Sequence, residues 1–148
     1  MSVEVKGNIV QVIGTVVDIR FPSDNLPPIY GAVYVTNPTI SDKPDNLILE
    51  VAQHVGDSTL RCIAMETTDG LMRGQEATYR GAQISIPVGN QILGRVINVV
   101  GNPVDGGVPL STDKMYQIHR AAPTLVEQNT KVELLETGVK VIDLLEPY

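Results

Sequence analysis

The sequence predicts a mainly β fold, a small closed or nearly closed barrel that passes into a β-rich connector and a short final helix. Three observations predict it. Val, Ile and Thr number 20, 13 and 11, together 44 of 148 residues or about 30%, against one Phe, five Tyr and no Trp. Branching at Cβ limits χ1 freedom in a helix and suits a pleated surface, so this bias favours strands. Thirteen Gly and ten Pro supply many turn sites. Only one stretch, close to Tyr148, carries a helical signal.

Residues 8–21 read as one long strand, with Gly14 in its middle as a bulge or a sharp corner. Phe21-Pro22-Ser23-Asp24 and Pro27-Pro28 break the pairing, and further strands follow at 32–36, 47–53, 59–66 and 75–79. Turn chemistry separates them: Asn37-Pro38, Lys43-Pro44-Asp45-Asn46, Gly56-Asp57-Ser58 and Asp69-Gly70. The strands at 47–53 and 59–66 lie close enough to form a hairpin. Short strands at this spacing make a barrel over residues 1–80.

From Gly81 the character changes. Ile84 to Gly89 and Ile92 to Val100 read as connector strands, followed by a loop rich in Gly and Pro over 101–109. The helix is expected near the end, with Thr137 as N-cap, Val139, Ile142 and Leu145 on one face, and a stop before Pro147. Val141 and Leu144 flank that stripe, so the helix is apolar around much of its circumference and needs cover on more than one side. Its packing partners are expected to lie beyond residue 148.

Composition excludes several classes. At 43% hydrophobic and 19% charged the chain is too apolar for disorder, and no apolar run approaches the roughly 18 residues of a membrane span. A soluble folded chain is expected. The net charge is −6, with 6 basic and 10 acidic groups in residues 1–80 and 5 and 7 in residues 81–148. Neither part offers a basic face for nucleic acid or anionic lipid. A single Cys62 excludes an internal disulfide and a cysteine-rich metal site. The N-terminal Met-Ser-Val-Glu-Val-Lys resembles neither a signal peptide nor a transit peptide, so no export or organelle import is expected.

No catalytic, cofactor-binding or metal-ligating residue is expected in the chain. Gly101-Asn-Pro-Val-Asp-Gly106 comes nearest to a phosphate loop, but Gly107 and Val108 stand where Lys and Ser or Thr are required, and Pro103 removes an amide. His54 and His119, the only histidines, are 65 positions apart and read as structural. Ser111-Thr-Asp-Lys114 has the Ser-x-x-Lys spacing of acylating enzymes without their companion motifs. Cys62 shares a strand face with Leu60 and Ala64 and is expected in the core, while Glu133 with Glu136 and Asp42 with Asp45 read as solvated surface. The residues alone point to an assembly module, an acidic barrel whose work is to pack against other subunits.

Seven stretches resemble, in order and spacing, the N-terminal part of the catalytic β subunit of F-type ATP synthase. They are Gln11 to Phe21; Leu49-Glu-Val-Ala-Gln-His54; Ile63 to Gly74; Pro87-Val-Gly through Leu93-Gly-Arg95 to Gly101-Asn-Pro-Val-Asp105; Ile118-His-Arg-Ala-Ala-Pro123; Glu127-Gln128; and Glu136 to Tyr148. The non-catalytic α subunit shares the barrel and the connector type, and the likeness to β rests on Leu49 to His54, Ile118 to Pro123 and Glu127-Gln128. Tyr79-Arg80-Gly81 departs from the family's usual Asp-Thr-Gly, and Ile86 from a common Val.

The resemblance implies a six-stranded crown barrel over 1–80, contacting α and β subunits in a hetero-hexameric ring around a central stalk subunit. It implies that 81–148 begin an α/β P-loop nucleotide-binding domain. The parent would synthesise or hydrolyse ATP, coupled to proton transport, with ATP, ADP and Mg²⁺ bound downstream of this chain; the fragment itself is expected to bind none of them, to be inactive and to be capable of self-association. The expected location is a peripheral complex on the cytoplasmic face of a bacterial inner membrane, or less readily a plastid thylakoid, with no direct membrane insertion. A free-standing assembly or regulatory module and a non-catalytic sister subunit of a rotary ATPase remain alternative readings.

Overall fold

Residues 4–111, 114–129 and 131–148 are described by a computed structural model. Among them, β1 (Val5–Ile13), β2 (Val16–Arg20), β3 (Gly31–Val35), β4 (Leu47–Gly56), β5 (Thr59–Ala64) and β6 (Glu76–Gln83) close into an antiparallel barrel in the order β1-β2-β5-β4-β3-β6. β6 returns to pair with β1, Val5 opposite Tyr79, so no strand edge is left open. The mainly β, six-stranded closed barrel expected from the sequence is present.

Residues 8–21 do not form one strand. Ile13 pairs with Val16, so Gly14 and Thr15 are the two-residue loop of a hairpin. Gly14 lies at φ 57, a conformation that glycine adopts without a Cβ clash, and glycine first in a two-residue loop fits the twist of the flanking strands. The irregularity in β1 sits instead between Ile9 and Gln11, where Val10 is the extra residue. The hairpin expected between 47–53 and 59–66 is present as β4 and β5. Its turn residues Asp57 and Ser58 both have positive φ, 48 and 58, as a type I′ turn requires.

Strand alternation builds the interior. Val17 and Ile19 of β2, Val33 and Val35 of β3, Leu47, Leu49 and Val51 of β4, and Leu60 and Cys62 of β5 all point inward and are buried. Phe21 and Tyr79 supply the aromatic part of this core. Small branched side chains suit a narrow barrel, which explains the scarcity of aromatics.

One end of the barrel is closed by polar bonds. Asn37 is fully buried; its Nδ2 donates to the carbonyls of Thr67 and Asp69 at 3.2 and 2.9 Å, and its Oδ1 accepts from the Thr39 amide at 3.0 Å. Asn46 returns two bonds to the Asn37 backbone, accepting at 2.6 Å and donating at 2.8 Å. A Cβ at Gly70, which lies at φ 86, would overlap Thr39 Oγ1 in this junction.

Beyond the barrel, β7 (Ser85–Pro87) and β8 (Met115–Gln117) form a two-stranded ribbon. The strand expected over 92–100 does not form. A short 3₁₀ turn covers Asn90–Ile92, and Gly94 follows at φ 73. Asn98 Oδ1 then accepts from the amides of Val100 and Asn102 at 3.2 and 2.7 Å, which diverts that backbone from a ladder into a loop.

The final helix α1 is short, Lys140–Leu145, and its N-cap is Val139 rather than Thr137. The capping bonds run the other way: Asp143 reaches back to accept from the Thr137 hydroxyl at 2.7 Å and from the Thr137 and Gly138 amides at 3.0 Å each. A carboxylate in the first turn also complements the helix dipole. Leu144 and Leu145 are each 80% exposed, so the apolar faces of α1 lack cover within the described residues.

Candidate assembly surface

Outward-facing residues of the barrel carry its polar chemistry. Asp18 and Arg61 stand opposite each other on β2 and β5 and form a two-pronged pair, Nε to Oδ1 and Nη2 to Oδ2, both at 2.9 Å. Lys6 of β1 bonds Glu76 of β6 at 2.9 Å, with both side chains about 60% exposed, where an ion pair contributes little. Arg80 bonds Asp45 and lies 5.0 Å from the Tyr34 ring centroid. Asp45, expected as solvated surface beside Asp42, is therefore paired.

The two histidines meet different partners. His54 Nε2 lies 2.9 Å from the Pro27 carbonyl, which ties the end of β4 to the β2–β3 connection. His119, just after β8, bonds Glu50 of β4 through Nε2 at 2.9 Å and stacks on Tyr30, with ring centroids 4.0 Å apart. Asn98 Nδ2 donates to Glu66 at 3.2 Å, a second bridge between the connector and the barrel.

The segment 101–106 is a loop closed by protein groups that flank it, Arg95 and the Gly107 amide. The Arg95 guanidinium grips Asp105, Nη2 to Oδ1 at 2.8 Å, and Asp105 Oδ1 also accepts from the Gly107 amide at 3.0 Å. Its carboxyl is held well below the usual range, first by the Arg95 bond and then by the Gly107 amide. The glycines thus serve a turn around a carboxylate, and their amides do not converge on an open anion cradle. In Ser111-Thr-Asp-Lys114, Thr112 and Asp113 lie outside the described residues.

Cys62 is buried in the barrel, and desolvation pushes its thiol up to about 12, with the nearby Asp18 charge adding to it. Such a thiol is a poor nucleophile. Glu127 is lowered by the Thr124 amide and hydroxyl that bond it. It borders an open concavity of about 740 Å³ lined also by His119, Arg120 and Pro123. Arg120 stands 4.0 Å over the Tyr116 ring, so the charged groups around this hollow are already engaged by protein partners. Among the described residues no three His, Cys, Asp or Glu side chains gather as a metal would need, and no helix is long and apolar enough to cross a membrane.

Four residues escaped sequence reasoning. Asp18 and Arg61 are opposite charges on outward strand positions, a signal that needed the β2–β5 pairing to be read. Asn37 was legible only as a turn residue beside Pro38. Tyr30 precedes Gly31 in a turn and shows nothing of its contact in the sequence.

The surface therefore defines a class, a closed antiparallel barrel with a β ribbon docked on its wall. Residues 9–81 match the family model described as the ATP synthase alpha/beta family, beta-barrel domain. The match runs through most of β1 to β6, so the barrel is similar to the beta-barrel domain of ATP synthase alpha/beta subunits.

Proposed function

We propose that the chain is the N-terminal part of a catalytic β subunit of an F-type ATP synthase, and that its barrel packs α and β subunits side by side in a hetero-hexameric ring about a central stalk. The single observation behind this reading is the family barrel over 9–81, continued by β-like stretches at Ile118 to Pro123, Glu127-Gln128 and Glu136 to Tyr148. The choice of β over α rests on Leu49 to His54, Ile118 to Pro123 and Glu127-Gln128. The proposed parent synthesises or hydrolyses ATP coupled to proton transport, as a peripheral complex on the cytoplasmic face of a bacterial inner membrane.

In this reading the nucleotide chemistry lies downstream. ATP or ADP and Mg²⁺ are held there by a phosphate loop, with fixed cations stabilising the charge on the transferring group. Residues 1–148 contain no Gly-x-x-x-x-Gly-Lys-Ser/Thr sequence. Their contribution is packing and orientation.

Two measurements test the reading. Calorimetric titration of the 148-residue chain with magnesium-ATP is expected to give no saturable heat in the micromolar range; saturable binding would overturn the assignment of nucleotide chemistry to a downstream region. Reading the gene past Tyr148 is expected to reveal a phosphate loop and, further on, the glutamate that positions attacking water in catalytic subunits. A phosphate loop without that glutamate would place the chain in a non-catalytic sister subunit, and a stop codon would make it a free-standing module.

A further inference from the structure

The ribbon and the barrel meet at a notch that the barrel builds from its own backbone. Tyr30 is not glycine yet lies at φ 69, a left-handed conformation that side chains with Cβ rarely adopt. Its amide donates to the Val51 carbonyl of β4 at 2.8 Å, and the next amide, Gly31, donates to the Pro28 carbonyl at 3.0 Å, so the turn is closed on itself and pinned to β4. Val51 directly follows Glu50. The strained turn therefore holds the Tyr30 ring beside the Glu50 carboxylate, with both carried by the same stretch of barrel wall.

His119 satisfies both groups at once. Its ring lies nearly parallel to that of Tyr30, at 26° and 4.0 Å between centroids, and its Nε2 reaches Glu50 Oε2 at 2.9 Å. The Glu50 side chain is only 15% exposed, so losing its partner would leave a largely enclosed carboxylate without this bond. Ala32 pairs with Glu50 across β3 and β4 on the outward side of the wall, yet it is fully buried, so this part of the barrel is covered from outside. The ribbon is knit by its own bonds, from the Val88 amide to the Lys114 carbonyl at 3.0 Å and from the Ile118 amide to the Ile84 carbonyl at 3.1 Å. Arg120, the neighbouring cation, is turned away onto Tyr116.

We propose that Tyr30 and Glu50 form a preformed imidazole notch, and that His119 in this notch is a latch holding the β7–β8 ribbon to the barrel. The barrel closes its hydrogen-bond circuit through β6 and β1 without the ribbon. Release of His119 therefore loosens the ribbon, with the Asn98–Glu66 bond left as a remaining side-chain bridge from the connector, while leaving the barrel folded. The device sets the direction in which the chain leaves the barrel, independently of any ligand.

Amide hydrogen exchange resolved by residue tests this on the 148-residue chain. In His119→Ala the Val88 and Ile118 amides are expected to exchange at least tenfold faster, while amides within the β4–β5 hairpin change less than twofold. Tyr30→Gly removes the ring and relieves the backbone, and it should loosen the same two amides; the double variant should add little to His119→Ala, because the stack on Tyr30 is already lost there. His119→Phe keeps a stacked ring without the bond to Glu50 and should fall between the parent chain and His119→Ala. Unchanged exchange at Val88 and Ile118 in His119→Ala and Tyr30→Gly would overturn the latch. Equal acceleration throughout the barrel would overturn it too, by showing that His119 belongs to the barrel's global stability.

Discussion

The Asp18 carboxylate on β2 takes both prongs of the Arg61 guanidinium on β5, two bonds of 2.9 Å between residues directly opposite in the strand register. Asp18 is only 8% exposed. Planar two-pronged geometry is specific to arginine, and a lysine cannot reproduce it. Arg61→Lys is therefore expected to lower the thermal midpoint, and Arg61→Ala to lower it further by leaving Asp18 unpaired. The double variant Asp18→Ala with Arg61→Ala should lose less than the sum of the two single changes. A strictly additive result in calorimetry would show that the pair is not coupled.

Leu49 is central to β4, fully buried and packed in the barrel cluster. Leu49→Ala removes apolar surface and leaves a cavity that a closed barrel cannot collapse around, at a cost of about 2–5 kcal/mol. Urea denaturation should show a lower midpoint at unchanged slope. Since domains have only about 5–15 kcal/mol of stability, the same change at Leu60 in addition should approach complete unfolding.

The Cys62 thiol ionises near 12 in the folded barrel and at 9.0 in a solvated chain. Below pH 9 both states keep the proton and this thiol adds no slope. Between 9 and about 12 the unfolded chain releases its proton first, so stability falls as pH rises, by up to about 1.4 kcal/mol per pH unit. Denaturation curves for the parent chain and Cys62→Ala at several alkaline pH values should show a steeper decline in the parent. Thiol reagents at neutral pH should label Cys62 only as fast as the barrel opens.

Ser58 sits at φ 58 as the second residue of the β4–β5 turn. A type I′ turn favours glycine there, and relief of the left-handed strain outweighs the added chain entropy. Ser58→Gly is expected to stabilise the barrel by roughly 0.5–1 kcal/mol. A fall in the thermal midpoint would contradict the assigned turn.

Asp105 is a carboxylate held down by Arg95 and the Gly107 amide. Its bonding therefore favours the closed loop above the ordinary carboxylate range and is lost only as pH falls through its lowered folded value. Exchange at the Gly107 amide should be as protected, after correction for intrinsic rates, at about pH 4.5 as at pH 7. Asp105→Asn should remove that protection at both.

Much of the barrel was readable from local pattern. Val33-Val35, Leu47-Leu49-Val51 and Leu60-Cys62-Ala64 alternate in sequence and all line the interior, because the strand period is two wherever one face is buried. Asp57-Ser58 announced its hairpin through turn chemistry alone. The misreadings arose where a glycine or an asparagine had two uses. Gly14 suits either a bulge in one strand or a turn between two, and pairing of Ile13 with Val16 decided for the turn. Ile92 to Val100 has strand composition, yet Asn98 bonds the amides that a ladder would have used.

The assembly surface was less legible, because its contacts join distant residues. Asp18 meets Arg61 across 43 positions, His119 meets Glu50 across 69, and Lys6 meets Glu76 across 70. The sequence by itself determined a β-rich chain, its strand periodicity, the acidic balance and the motifs that resemble ATP synthase subunits, since each is a local property of residues and their neighbours. Only the tertiary structure decided which strands lie side by side, that Tyr30 is strained against Glu50's strand, and that His119 spans from ribbon to barrel. Those depend on closure of the barrel, which brings remote segments to within hydrogen-bond distance.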